Sequence, residues 1–181
     1  MAEVNSTAEQ PFVLILVGLP GSGKSHFASR LEEKSARFVR INQDVLGDRP
    51  ACEKLARSVL ADGKIAVIDR CNFDVKQRKK WVQIANEKGV QCECIVFNHD
   101  KDECIKRCQM QIGHETVRPD DAARVVSAMA KDFRPPAPIP KSKSEKGEVQ
   151  CSGGERFRRH ENVSTFKKAD GLADKYLGRF S

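Results

Sequence analysis

Phe12-Val-Leu-Ile-Leu-Val17, followed at once by Gly18-Leu-Pro-Gly-Ser-Gly-Lys-Ser25, is the stretch on which the fold turns. The first part is a continuous apolar run bounded by Pro11 and Gly18, which predicts a strand covered on both faces, as in a parallel sheet. The second part satisfies the phosphate-binding loop pattern in full and lies where that loop works, between a buried strand and a helix. Glycines let the backbone wrap a triphosphate with its N–H groups, and the following helix presents its positive end. Lys24 is placed to neutralise β and γ oxygens, and the Ser25 hydroxyl to ligate Mg2+. Gly18, Leu19, Pro20, Gly21, Ser22, Gly23, Lys24, Ser25 and His26 are therefore the candidate residues for binding ATP.

Outward from this stretch the pattern alternates. Short apolar runs recur at 37–41, 64–69 and 90–97, and the intervals 24–33, 51–62 and 75–88 carry apolar residues at helical spacing. Alternating strands and helices predict right-handed βαβ crossovers. The expected fold class is α/β, three layers around a mostly parallel central sheet, with ligands at the carboxyl ends of the strands. Helices are expected at 101–111 and 119–133, the second with Pro119 in its opening turn, then a strand at 157–163 and a helix at 170–177. Between them, Pro135-Pro-Ala-Pro-Ile-Pro140 and Lys141-Ser-Lys-Ser-Glu-Lys-Gly147 offer little to bury and predict a surface loop over 134–155. The division read is an N-terminal tail, 1–11, and a single domain, 12–181.

Composition sets the outer limits. With 181 residues, 39% hydrophobic and 31% charged, the chain suits one core and excludes fibrous and fully disordered classes. Its longest apolar run falls far short of the roughly 20 residues that cross a bilayer, and the polar opening Met1 to Gln10 is not a signal peptide, so an intracellular protein of nucleus and/or cytoplasm is expected. The net charge is +7, yet residues 1–133 hold 21 basic and 19 acidic side chains, so most of the excess lies after Phe133. Seven cysteines without a CxxC pair read as reduced thiols. Cys104 and Cys108 share a helical face; zinc with His99 or His114 does not match a structural spacing, and a half-buried face explains them as well.

Carboxylates at strand ends supply the candidate chemistry. Asn42-Gln-Asp44 closes the second strand, so Asp44 is expected in the phosphate crevice, as general base, as holder of a magnesium water, or as a helix cap. Asp69 closes the third strand as a second magnesium-side carboxylate, and Asn72 beyond it holds the loop or touches substrate. Arg49 lies near the start of the next helix, and Arg107 and Arg118 flank Gly113-His-Glu-Thr116. A planar guanidinium suits phosphate clamping, and small kinases close a lid of such residues over the nucleotide.

Three stretches then combine. Gly18 to Ser25, Arg40-Ile-Asn-Gln-Asp-Val-Leu-Gly-Asp-Arg49, and Val67-Ile-Asp-Arg-Cys-Asn-Phe-Asp74 with Gln77, Arg78 and Trp81 resemble the polynucleotide 5′-hydroxyl kinase family of P-loop phosphotransferases, over Phe12 to about Phe133. The resemblance implies a P-loop kinase fold, ATP and Mg2+ as cofactors, a 5′-hydroxyl nucleic acid end as substrate, and a role in nucleic acid repair. By motif, Asp44 resembles the general base and Arg49 a residue on an acceptor phosphate; Arg107 resembles a lid arginine acting with Lys24 on the migrating phosphoryl group. Arg118 is the candidate second lid arginine, because Gln111 stands where family members often carry one, and Cys71 replaces the usual Thr. A haloacid-dehalogenase signature for a 3′-phosphatase partner is missing from this chain.

Two other readings stay open on the residues alone. A small-molecule kinase for a sugar, nucleoside or metabolite would share loop, base and lid. A nucleotide-dependent binding or adaptor protein would use the loop as a switch and recruit protein partners, as yet unknown, through its Pro-Lys-Ser stretch.

Overall fold

A computed structural model describes residues 10–110, 117–138, 149–151 and 154–180. The tail 1–9, Gln111, His114 and the 113–116 lid stretch, and 139–148 of the surface loop lie outside the described residues. The elements in chain order are β1 (Phe12–Gly18), α1 (Lys24–Lys34), β2 (Phe38–Ile41), α2 (Gln43–Leu46), α3 (Arg49–Ala61), β3 (Ile65–Asp69) and α4 (Val75–Glu87). Then follow β4 (Gln91–Phe97), α5 (Lys101–Met110), a 3-10 turn (Pro119–Asp121), α6 (Ala122–Lys131), β5 (Val149–Gln150), β6 (Arg156–Phe157), β7 (Arg159–Val163) and α7 (Phe166–Gly178).

The main sheet runs β2-β3-β1-β4-β7, and every pairing in it is parallel. β1 is therefore central, hydrogen-bonded to β3 and β4, and all seven of its residues are buried. Its side chains divide by the strand's period of two. Val13, Ile15 and Val17 enter one apolar layer with Cys52, Ala56 and Val59 of α3 and Trp81 and Ile84 of α4. Phe12, Leu14 and Leu16 enter the other, with Phe27 and Leu31 of α1 and Ala169, Ala173 and Tyr176 of α7. This is the three-layer α/β fold that the unbroken apolar run predicts. Burying one such aliphatic side chain contributes about 1.5–3 kcal/mol, so Leu14→Ala would cost about 2–5 kcal/mol with its cavity.

Three departures from the sequence reading have physical causes. The segment after β2 does not remain extended to Asp44. Asn42 caps a short helix, its side chain accepting from Asp44 N at 2.7 Å and Val45 N at 3.3 Å. The last helix starts at Phe166 rather than 170, because Thr165 Oγ1 accepts from Lys168 N and sets the cap there.

The described stems of the loop at 134–155 are anchored rather than free. Arg78, fully buried on α4, forks onto both oxygens of Glu155 at 2.8 and 2.7 Å and donates to the Arg134 carbonyl at 3.0 Å. Cys151 and Phe157 join the α3–α4 core layer, Pro138 bridges Cys151, and a His160 ring nitrogen meets the Pro136 carbonyl at 2.8 Å.

Candidate functional site

At the carboxyl ends of β1, β2 and β3 lies a crevice of about 210 Å³, whose lining includes Gly21, Gly23, Lys24, Ser25, Asp44, Asp69 and Arg107. The loop between β1 and α1 owes its shape to glycine. Gly21 and Gly23 hold φ of 79° and 91°, in the left-handed region that L side chains avoid. A Cβ on Gly21 would fall 2.4 Å from the Cys104 carbonyl oxygen, so helix α5 packs directly on the loop. Lys24 lies almost wholly buried within it, Nζ donating to the Leu19 carbonyl at 2.8 Å and lying 3.4 Å from Ser22 Oγ. Gly18 N donates to the Cys71 carbonyl, which ties the loop to the end of β3. His26 lines the crevice but is largely exposed, 3.9 Å from Asp170.

Asp69 is buried at the end of β3, and its two oxygens have different neighbours. Oδ2 accepts from Arg40 Nε at 2.7 Å and from Asn42 Nδ2 at 3.0 Å, while Oδ1 accepts from the Ser25 hydroxyl at 3.2 Å. A hydroxyl and a carboxylate oxygen that converge on a phosphate loop are hard oxygen donors, which fits Mg2+ completed by phosphate and water. Among the described residues no cluster of three His, Cys, Asp or Glu stands close enough to cage a metal ion, and His114 lies outside those residues. Cys104 and Cys108 pack with Leu19, Val117 and Val126, and burial pushes the Cys104 thiol up to about 11.

Asn42 joins the two carboxylates of the crevice. Its amide nitrogen holds Asp69 and its amide oxygen caps the helix that carries Asp44. Asp44 is exposed in the first turn of α2 and lines the crevice, and it is not itself a cap. Arg40 and Asn42 hold Asp69, and strand-end reasoning passed them over. The signal was present, since both stand in the stretch that ends at Arg49.

Of the two roles expected of Asn72, holding the loop is the one its contacts show. Asn72 is fully buried with φ of 46°, a conformation asparagine tolerates, and Nδ2 donates to the Leu16 carbonyl at 2.8 Å while Oδ1 accepts from Trp81 Nε1 at 3.2 Å. Its amide holds the loop beside the crevice, and no face of it opens to the site. Arg118 is exposed before the 3-10 turn and is absent from the crevice lining, so it does not join Arg107.

Arg49 stands at the start of α3, its Nε 3.3 Å from Glu53 Oε1, and is not part of the crevice lining. Arg70, which does line the crevice, has its basicity lowered by burial and by the charge of Arg49. Two guanidiniums thus gather on the Asp44 side. Phe73, Gln77 and Met129 complete that wall, and residues so far apart in the chain carry no joint sequence signal.

A three-layer parallel α/β domain with a glycine-built phosphate loop and strand-end carboxylates is the P-loop kinase architecture. A family model described as "AAA domain" matches residues 13–51 and 48–136, and the chain belongs to that family. Transcription factor bHLH140 of Arabidopsis thaliana is 32% identical over 133 residues, which is 70% of this chain and 14% of that protein. The bifunctional polynucleotide phosphatase/kinase of Schizosaccharomyces pombe is 36% identical over 88 residues, 49% of this chain and 21% of that protein. The chain therefore spans about a fifth or less of the length of these two curated relatives. A fungal RNA kinase superposes with a TM-score of 0.66 at 13% identity, covering 96% of this chain and 45% of that one. A gluconokinase from Sinorhizobium meliloti superposes at 0.57 with 15% identity, covering 95% and 93%, so the fold by itself does not choose the acceptor.

Proposed function

We propose that this chain is an ATP- and Mg2+-dependent kinase that transfers the γ-phosphate to the 5′-hydroxyl of a DNA or RNA end, in the nucleus and/or cytoplasm. The observation that carries the reading is that Asp44 shares one crevice with Lys24, Ser25, Asp69 and Arg107. A carboxylate that lines the phosphate crevice from an exposed helix turn is what an alcohol acceptor needs. The likeness to the fission yeast polynucleotide phosphatase/kinase supports the choice of acceptor.

In this mechanism the loop amides and Lys24 hold the triphosphate. Asp44 takes the proton of the hydroxyl as its oxygen bonds to the γ-phosphorus, while the bond to the bridging oxygen breaks and ADP leaves. Lys24 and Arg107 offset the charge on the transferred group. Ser25 and Asp69 Oδ1 would hold Mg2+, which would supply further neutralisation of phosphate charge. Arg40 and Asn42 fix Asp69 on its other oxygen, so Oδ1 stays directed at Ser25. Arg49, with Arg70 beside it, takes the acceptor phosphate.

The test is transfer of label from γ-labelled ATP to 5′-hydroxyl oligonucleotides of DNA and RNA. Asp44→Ala is expected to slow transfer by about 10²–10⁴-fold, the range for removing a general base, with ATP affinity retained. ATP turnover with no label on any oligonucleotide would remove this reading. Undiminished transfer by the variant would remove the base assignment.

A further inference from the structure

Phe166, the first residue of α7, lies far from Arg107 in sequence and against it in space. The Arg107 guanidinium carbon sits 3.6 Å from the centroid of the Phe166 ring. The His99 ring stacks on the same phenyl at 4.3 Å between centroids, with 27° between the planes. Two groups that close to one centroid fit only on opposite faces. The ring edge is fixed as well, because a Cβ on Gly23 would fall 3.1 Å from Phe166 Cε1, which puts the phenyl against the phosphate loop.

The partners of this stack are themselves unusual. His99 is buried, and neither ring nitrogen has a hydrogen-bond partner among the described residues. Burial lowers its basicity, and Arg107 and Lys24 lower it further against the opposing charge of Glu103. Its ring lies as a plate behind the phenyl. Arg107 lines the crevice, and its Nε is buried without a hydrogen-bond partner among the described residues. A guanidinium lying flat on an aromatic face keeps its N–H groups in its own plane, away from the ring. Arginine is rich in rotamers, and the ring restricts them before a ligand arrives.

We propose that Phe166, backed by His99, is the positioning residue for Arg107, holding its guanidinium flat so that its donors meet the terminal phosphate of the bound nucleotide. The inference rests on the nucleotide-binding part of the reading above and is independent of the acceptor. A contact at the terminal phosphate separates ATP from ADP, whereas a general packing role would not.

The experiment is calorimetric affinity of the whole chain for Mg-ATP and Mg-ADP, so absence of an oligonucleotide substrate leaves it readable. Phe166→Leu is expected to weaken ATP binding by about tenfold, the size of a desolvated cation–π contact, and to change ADP binding by less than about twofold. Phe166→Tyr, which keeps the aromatic face, restores ATP affinity. In an Arg107→Ala background, Phe166→Leu has no further effect, since the two act as one unit. Should Phe166→Leu fail to fold, Phe166→Met carries the same expectation. Equal loss of ATP and ADP affinity would overturn the proposal, as would an unchanged ATP affinity or an effect that persists without Arg107.

Discussion

Asp69 and Glu93 are both buried carboxylates held by arginine on neighbouring regions of one parallel sheet, and they differ in what their partners leave available. Glu93, early in β4, is wholly buried. Tyr176 Oη donates to Oε2 at 2.6 Å, Arg179 donates to both oxygens at 3.0 Å, and Arg158 donates to Oε1. Burial works to raise its pKa, but the hydrogen bonds from Arg179, Tyr176 and Arg158 outweigh it, and the carboxyl lies below its ordinary value of 4.5. At the carboxyl end of β3, Asp69 has arginine on one oxygen only, and the other meets a serine hydroxyl at the crevice. Burial of charge is common to both. An oxygen turned toward a crevice separates the chemical site from the structural one.

Neutralising each carboxylate tests that distinction. The largest effect is expected from Glu93→Gln, which leaves two guanidiniums without their counter-charge and should cost about 3–5 kcal/mol, read from urea unfolding. Its pH profile sharpens the point. Because the folded pKa is depressed, the stabilisation from Glu93 is fully present above 4.5 and is lost as pH falls through the folded value. The Gln variant should therefore show a flatter acid limb than the wild type, and equal acid slopes would mean that Glu93 is not the group responsible.

Asp69→Asn comes next and should act in the opposite manner. Phosphoryl transfer is expected to fall by about 10²–10³-fold, as for loss of one preorganised electrostatic group, with a smaller stability loss than Glu93→Gln. A variant that unfolds while its folded fraction keeps full activity would erase the distinction.

The smallest effect lies outside both clusters. Replacing Lys141, Lys143 and Lys146 together by Gln should weaken oligonucleotide binding by a few-fold and flatten its salt dependence, leaving ATP affinity unchanged. Loss of ATP affinity first would make this stretch part of the catalytic body.

The same contrast explains what could be read from the chain. The strand and loop at Phe12 to Ser25, the alternation of elements, and Asp44 and Asp69 are local patterns with periods of two, 3.6 or a fixed motif spacing. They were legible, and Lys24, Ser25, Asp44 and Asp69 all line the crevice, Asp44 from a short helix and not from the end of the strand. Arg118 is near Arg107 in sequence, yet it stands exposed at the cap of the 119–121 turn and is not part of the crevice lining. The role of Asn72 depended on Trp81 and Leu16, which a linear reading does not bring together. Arg158 and Arg179 belong to the basic excess after residue 133, and in the fold they are the counter-charges of Glu93. Phe166 gave no signal, since its partners Arg107 and His99 belong to another part of the chain.

Asn72 and Trp81 give the protein one more property. Trp81 is the chain's sole tryptophan, it is fully buried, and its indole N–H ends on the loop that flanks the crevice. Excited on the long-wavelength side of the absorption of its one tyrosine, the protein therefore emits from a single indole hydrogen-bonded to that loop. Nucleotide titration read by its emission reports on that loop without any label, and a red shift reports the opening of the core layer around α4.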